Sequence, residues 1–402
     1  MEEKKRFRQS ELVLEVSMAY DGTRLDYEAW RPFVDRLCGT RDYQKEAIRR
    51  AVVFLASGRY GNLEELAKEN YEKSGKLKEK YPSLEEFLEE LQMREKLYAD
   101  IDLATGTGKS YVIYGIAQIA LGLGLVKRVL VLTPSLTIEA GLTEKFQQLS
   151  ADPGLKALIP EEAVLRNPSI VTANETVKTG DLCVENIHAV YQNTGSSIED
   201  SFAGSGADTL VLNDEAHHIF NRPAGNRRED GDIKKWKEFL LDSKYDFRYM
   251  LGFTGTAYLE NEYFPDVIFR YSLRQAIEDR VVKNVDYVRE DDSGDDWERF
   301  QKIYQNHQRN ARDYSKVKPL TILVTRDIRS AKELSGELVQ FLMTWEEKSR
   351  EEVDAKVLLV TSAREHRANV EKLRYVDDRE EPTEWIVSVS MLTEGWDVKN
   401  VF

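Results

Sequence analysis

Residues 103–110 read Leu-Ala-Thr-Gly-Thr-Gly-Lys-Ser, and no other stretch limits the fold of this chain so sharply. A short run read as apolar, 98–103, stands before them. A helical pattern follows, with Val112, Ile116, Ile119 and Leu123 on one face. Strand, glycine turn and helix in that order predict a phosphate-binding loop within a parallel α/β layer. The glycines let the backbone curl until its N–H groups point at one place. The helix start adds partial positive charge there. Thr105, Gly106, Thr107 and Gly108 are expected to cradle the phosphates of a nucleoside triphosphate. Lys109 would reach its β and γ phosphates, and Ser110 would offer a hydroxyl to Mg2+. The full pattern has glycine where this chain has Leu103, so the run alone also fits a tight turn without a ligand.

A second run narrows the choice. Residues 209–213 form a short strand-like stretch that ends in Asp214 and Glu215, followed by Ala216, His217 and His218. Asp214 is expected to hold magnesium through water, and Glu215 to orient the water that attacks the γ-phosphate. A transition-metal role for the two histidines is set aside. They lack the H-E-x-x-H spacing, and no third ligand lies nearby in sequence. His217 is expected to hydrogen-bond within a coupling network instead.

The 402 residues suffice for two or three domains, and 41% hydrophobic content fits a globular chain. Cys38 and Cys183 form no C-x-x-C pair, which argues against a disulfide framework or a cysteine-based zinc site. A reducing, cytoplasmic compartment is expected. The charged start of the chain has no apolar signal core, and the most apolar stretch, 116–126, is too short for a membrane. A net charge of −14 counts against a generic polyanion-binding surface. A narrow groove of local lysines, hydroxyls and backbone N–H groups remains compatible with nucleic acid.

Residues 1–40 are expected as a small leading element, with Leu12, Leu14 and Val16 alternating as in a half-buried strand. Residues 62–98 are expected as a charged helical pair broken at Tyr81-Pro82, more solvated spacer than docking hairpin, with Ser83 and Glu86 as a capping box. Strands are expected before Gly106 and at 129–132, 209–213 and 249–253. The pattern restarts after about residue 285, with strands at 320–324, 357–360 and 385–389 and a helix over 331–345. The domains predicted are 41–270, a connector at 271–285, and a second α/β domain over 286–402.

Other polar groups stand at strand or helix ends. Gln44 has an amide that can pair with adenine, and Arg41 a guanidinium that can stack on it. A helix-start glutamine is usually just solvated, and the position before the phosphate loop is what gives Gln44 its value. Thr133 and Pro134 end a strand and present either a phosphodiester contact or a plain polar cap. Thr254 and Thr256 form either a relay to the carboxylates or an ordinary glycine turn. After the last strand, Ser390 and Thr393 are candidate nucleic-acid contacts, and Asp397, beside Gly395, a candidate ribose acceptor.

The ordered set R-D-Y-Q, L-A-T-G-T-G-K-S, L-T-P-S, D-E-A-H-H, T-G-T-A and M-L-T-E-G-W-D-V resembles the helicase core of superfamily two, with two RecA-like domains. Within it the chain most resembles the motor subunit of type III restriction enzymes and related phage-defence helicases. The resemblance covers roughly residues 41–402 and rests further on 272–278 with Lys283, and on 393–401. It implies an ATP- and Mg2+-dependent motor on nucleic acid, with duplex DNA favoured and a methyltransferase or other defence subunit as partner. Gln44 would read adenine, Thr254 and Thr256 would couple hydrolysis to motion, and Gly395 and Asp397 would sense nucleotide from the second domain.

Two departures stand out. The arginine-bearing sixth motif should follow Asp397, but the chain stops at Val401-Phe402, so the second domain is expected to be incomplete and the chain a fragment of a longer protein. No nuclease constellation is evident, since Pro265-Asp266 has no E-x-K downstream. An RNA helicase, or a nucleotide-gated clamp that does not translocate, remains an open reading at this point.

Overall fold

The computed structural model describes residues 9–192, 197–220, 235–259, 262–283, 291–314, 318–361, 363–373 and 375–389. The chain divides into two compact units, Met1–Asn284 and Val285–Phe402.

The first unit is built on a seven-stranded sheet whose paired strands are all parallel. Its strands are β1 (Leu97–Leu103), β2 (Arg128–Thr133), β3 (Ser169–Val171), β4 (Asp181–Asn186), β5 (Thr209–Asp214), β6 (Tyr249–Thr254) and, after a two-stranded hairpin (β7, Tyr258–Leu259; β8, Glu262–Tyr263), β9 (Val267–Tyr271). The order across the sheet is β3-β4-β2-β5-β6-β1-β9. Helices cover both faces, so the central strands are buried from end to end, as parallel strands must be. β1 and β2 are consecutive in sequence yet separated by β5 and β6. Such a reversal of strand order opens a crevice at the C-terminal ends of the strands.

Several expectations change. Leu12, Leu14 and Val16 are buried in alternation, but the segment is not a strand, and Leu14 N–H donates to Val267 O (2.8 Å) at the sheet edge. After α1 (Tyr27–Cys38) and α2 (Asp42–Ala56), residues 62–98 hold three short helices, α3 (Leu63–Lys73), α4 (Gly75–Lys80) and α5 (Leu84–Glu90), then the start of β1. They are not a spacer, since Leu63, Leu66, Leu77 and Phe87 are buried in the main core. Ser83 caps α5 by accepting from Glu86 N–H (3.2 Å). Helix α6 (Lys109–Gly122) is buried around its whole circumference rather than along one stripe. One face lies on the sheet, and α1 and α2 close over the other. A Cβ on Gly122 would stand 2.2 Å from the Trp30 ring, so that close crossing needs glycine. The run 98–103 also proves less apolar than it reads, for β1 buries Asp100 and Asp102.

The second unit carries a three-stranded parallel sheet, β10 (Thr321–Thr325), β12 (Trp385–Val389) and β11 (Val357–Val360) in that order. The expected helix over 331–345 lies within Ile328–Glu346, capped by Asp327. Trp385 anchors this core, with His307 stacked on it at 4.6 Å. The molecule is thus two RecA-like α/β units in tandem, with a helical insert in the first. Among the described residues no helix is long and apolar enough to cross a membrane.

Candidate active site

Because the strands run parallel, β1, β5 and β6 end on the same edge of the sheet. Residues 104–110, 214–217 and 254–256 are therefore neighbours. The loop after β1 turns on Gly106 (φ +80°) and Gly108 (φ +81°), both in the left-handed region that favours glycine. Thr107 sits between them. Its hydroxyl donates to Ala104 O (2.6 Å), while its own carbonyl accepts from Tyr43 Oη (2.9 Å) and Gln44 Nε2 (2.7 Å). A Cβ on Gly108 would lie 2.6 Å from Gln44 Nε2, whereas one on Gly106 would meet only Val282 at 3.9 Å. The loop is thus tied down from beneath and open above Gly106. α6 begins at Lys109, which points its first N–H groups toward the same space.

Lys109 Nζ forms an ion pair with Glu215 Oε1 and stands 3.7 Å from Asp214 Oδ1. Asp214 is buried, which pushes its carboxyl up to about 6 even though Lys109 pulls it down, and Glu215 adds to the rise. Asp214 Oδ1 is a buried acceptor with no hydrogen-bond donor. A cation supplies what such an oxygen lacks. Glu215 has φ +53°, rare for a residue with a side chain, so its carboxylate is held in place at a backbone cost. Ala216 N–H fixes the turn by donating to Phe253 O (2.9 Å) at the neighbouring strand.

His217 Nδ1 lies 2.9 Å from Thr254 Oγ1 and 3.5 Å from Glu215 Oε2. Thr254 Oγ1 accepts from Thr256 N–H (3.0 Å) and is 3.3 Å from Thr256 Oγ1. The three residues expected to couple therefore form one hydrogen-bonded chain, and its first member, His217, stands beside Glu215.

The remaining candidates divide. Gln44 is fully buried rather than solvated, and its Oε1 has no hydrogen-bond partner. Arg41, at the start of α2, is exposed. Thr133 is buried, and its hydroxyl donates to the carbonyl of Ser135 (3.2 Å). Of that turn, Pro134 is half-buried and Leu136 is 70% exposed. Ser110 is half-buried at the first turn of α6. Ser390, Thr393, Gly395 and Asp397 lie outside the described residues.

Sequence reading missed a buried ion pair under the loop, Asp102 Oδ2 with Arg270 Nε at 2.7 Å. Burial raises the Asp102 carboxyl and outweighs the attraction of Arg270. The signal was present as two aspartates in a strand that is otherwise apolar. A cavity of about 970 Å³ lies beside this pair, between Thr105, Gly255, Arg50 and Tyr263. It meets the loop only at Ala104 and Thr105, so it is not the space above Gly106 and Lys109.

A family model described as type III restriction enzyme, res subunit, matches residues 37–259. No curated protein matches the chain. Among solved structures, a fragment of a putative HsdR subunit of a type I restriction enzyme from Vibrio vulnificus YJ016 is 18% identical, with 74% of this chain and 51% of that one covered and a TM-score of 0.46. S. cerevisiae Dbp5 bound to RNA and ADP BeF3 is 12% identical, with 76% and 68% covered and a TM-score of 0.42. Mss116p bound to ssRNA and AMP-PNP is 12% identical, with 75% and 58% covered and a TM-score of 0.47. The chain spans from 51% to 68% of the length of these three.

Proposed function

The chain belongs to the family of type III restriction enzyme res subunits and is a helicase ATPase core of that kind, and from that premise we propose that it is an ATP-driven DNA translocase or helicase motor of a restriction or phage-defence system. The observation that carries the nucleotide chemistry is Lys109, which joins the glycine loop to both carboxylates at the end of β5. An arriving triphosphate would compete for that ammonium, draw it to the β and γ oxygens, and release Glu215 to accept a proton from water. Ser110 and Asp214 would hold Mg2+, whose charge stabilises the transferring phosphoryl group. Among the described residues no group of three or more His, Cys, Asp or Glu side chains is gathered to hold a metal. The ion would complete its shell with phosphate and water oxygens, as magnesium does in such sites.

Thr105 to Gly108 would bond the phosphates through backbone N–H groups. Gln44 Oε1 would accept from the adenine amine, with Arg41 stacking on the base. His217, Thr254 and Thr256 would pass the change at Glu215 to the end of β6. Gly395 and Asp397 of the second unit would respond to nucleotide, and Pro134 of the first unit, with Ser390 and Thr393 of the second, would meet the nucleic-acid backbone. Duplex DNA is the proposed substrate, and a methyltransferase or other defence subunit the proposed partner.

The test is steady-state ATP hydrolysis by this chain, with Lys109→Ala as control, titrated with duplex DNA, single-stranded DNA and RNA. Stimulation by duplex DNA that the control loses supports the proposal. Stimulation by RNA alone overturns the DNA assignment. Hydrolysis without displacement of a blocked strand replaces the motor with a nucleotide-gated clamp.

A further inference from the structure

Tyr43 and Tyr271 lie face to face, with ring centroids 4.0 Å apart and planes within 2°. Neither has a role in the nucleotide chemistry above. Tyr43 comes from the first turn of α2, and Tyr271 ends β9. Each is also tied to something beyond the stack. The Tyr43 hydroxyl donates to Thr107 O (2.9 Å), the carbonyl between the two left-handed glycines. The Tyr271 hydroxyl donates to Asp279 Oδ2 (2.8 Å) at the end of α8 (Leu273–Glu278), the short helix that follows β9. The Tyr271 carbonyl accepts from Ala104 N–H (3.1 Å), where the loop begins. Beyond α8 the chain folds back, as Val281 and Val282 N–H donate to Ala276 O (2.8 and 3.0 Å), and this places Val282 near Gly106.

The glycine loop and residues 271–282 are therefore joined by a backbone bond and by a stacked pair with a polar tie at each end. The joined segment is the last stretch of the first unit, and the second unit follows it in sequence. We infer that Tyr43 and Tyr271 are positioning residues that carry the state of the phosphate loop to α8. The inference rests on the reading of that loop as the nucleotide site.

The physical argument is short. A phosphate bonded by the N–H groups around Gly106 and Gly108 fixes the peptide planes on either side of Thr107, and so the direction of its carbonyl. Tyr43 must follow that carbonyl to keep its bond. The two rings are in face-to-face contact, so a tilt of Tyr43 displaces Tyr271. Its hydroxyl then pulls on Asp279, and α8 shifts or stiffens.

Amide hydrogen exchange of the full chain, with and without AMP-PNP and Mg2+, tests this in the wild type and in Tyr43→Phe and Tyr271→Phe. Both variants keep the ring and the packing, and each removes one polar tie. In the wild type, nucleotide should slow exchange at 104–110 and, by about tenfold, at 273–279. In each variant the slowing at 104–110 should persist while most of the slowing at 273–279 is lost, and in Tyr271→Phe, which leaves the bonds to the loop in place, nucleotide affinity should stay within about threefold of wild type. Variants that still slow 273–279 as the wild type does would overturn the inference. A wild type that protects 104–110 but not 273–279 would overturn it too and leave the nucleotide reading standing. A wild type that binds no nucleotide would overturn both.

Discussion

Lys109 and Glu215 form an ion pair between the first turn of α6 and the end of β5, with Glu215 held at a backbone angle that side chains rarely adopt. A carboxylate fixed this way beside the phosphate loop is suited to accept a proton from water. Glu215→Gln keeps its size and one hydrogen-bonding oxygen but removes the base. Phosphate release should fall by roughly 10²–10⁴-fold, with nucleotide binding retained. Hydrolysis within about threefold of wild type would remove Glu215 from the proposed mechanism.

The two loop glycines separate strain from crowding. Gly106→Ala and Gly108→Ala both force a side chain into the left-handed region, at about 1 kcal/mol or more each. Only the second drives a methyl into Gln44 and threatens its bond to Thr107. Thermal unfolding should therefore show Gly108→Ala as the less stable protein by about 1 kcal/mol. Equal midpoints would mean that Gln44 does not brace the loop.

The glycine loop, the carboxylates and seven of the strands are legible in the sequence because each is local. A glycine turn after a strand, or Asp-Glu at the end of an apolar run, needs no knowledge of distant residues. What was missed depends on distant partners. Asp102 reads as an interruption until Arg270, far along the chain, is seen to neutralise it. β4 (Asp-Leu-Cys-Val-Glu-Asn) and β9 (Val-Ile-Phe-Arg-Tyr) carry polar residues that are sheltered only in the assembled sheet. Helix α6 reads as amphipathic because nothing local announces that α1 and α2 cover its outer face. The Glu- and Lys-rich insert reads as solvated because its apolar residues are few, yet they face one way and fill the core.

The Asp102–Arg270 pair makes a prediction of its own. Both side chains are almost completely buried, so removing one leaves the other charged in a dry site. Arg270→Gln should lower unfolding free energy by about 3–5 kcal/mol, and adding Asp102→Asn should restore part of that loss. If the double variant is less stable than the single one, the pair is not the source of the cost.

A second buried acid cluster should show itself through pH. Asp100 on β1 and Asp266, just before β9, are both fully buried, and each carboxyl sits in the field of the other. Tyr98 Oη donates to Asp100 Oδ1 (2.5 Å), and Gln92 N–H donates to Asp266 Oδ2 (3.3 Å). Among the described residues Lys237 is the cation that acts on Asp266, and its pull is smaller than the burial effect. Burial raises Asp266 to about 6 and holds Asp100 well above the usual carboxylate range. The folded protein therefore keeps protons that the unfolded chain releases near pH 4. The stability these groups contribute is complete below that pH and is lost as pH rises through the folded values. Asp266→Asn presents the same donor and acceptor as the protonated acid and does not titrate. Its unfolding free energy should match wild type near pH 4 and exceed it by about 3 kcal/mol at pH 8, where the wild type has an ionised Asp266 to accommodate in a buried site. Chemical denaturation of both proteins across that range checks it, with the difference taken at each pH so that all other titrating groups cancel. A difference that stays constant with pH would mean that the two acids do not share a raised titration, and a variant less stable at every pH would mean that the charge on Asp266 is itself part of what holds β9 against β1.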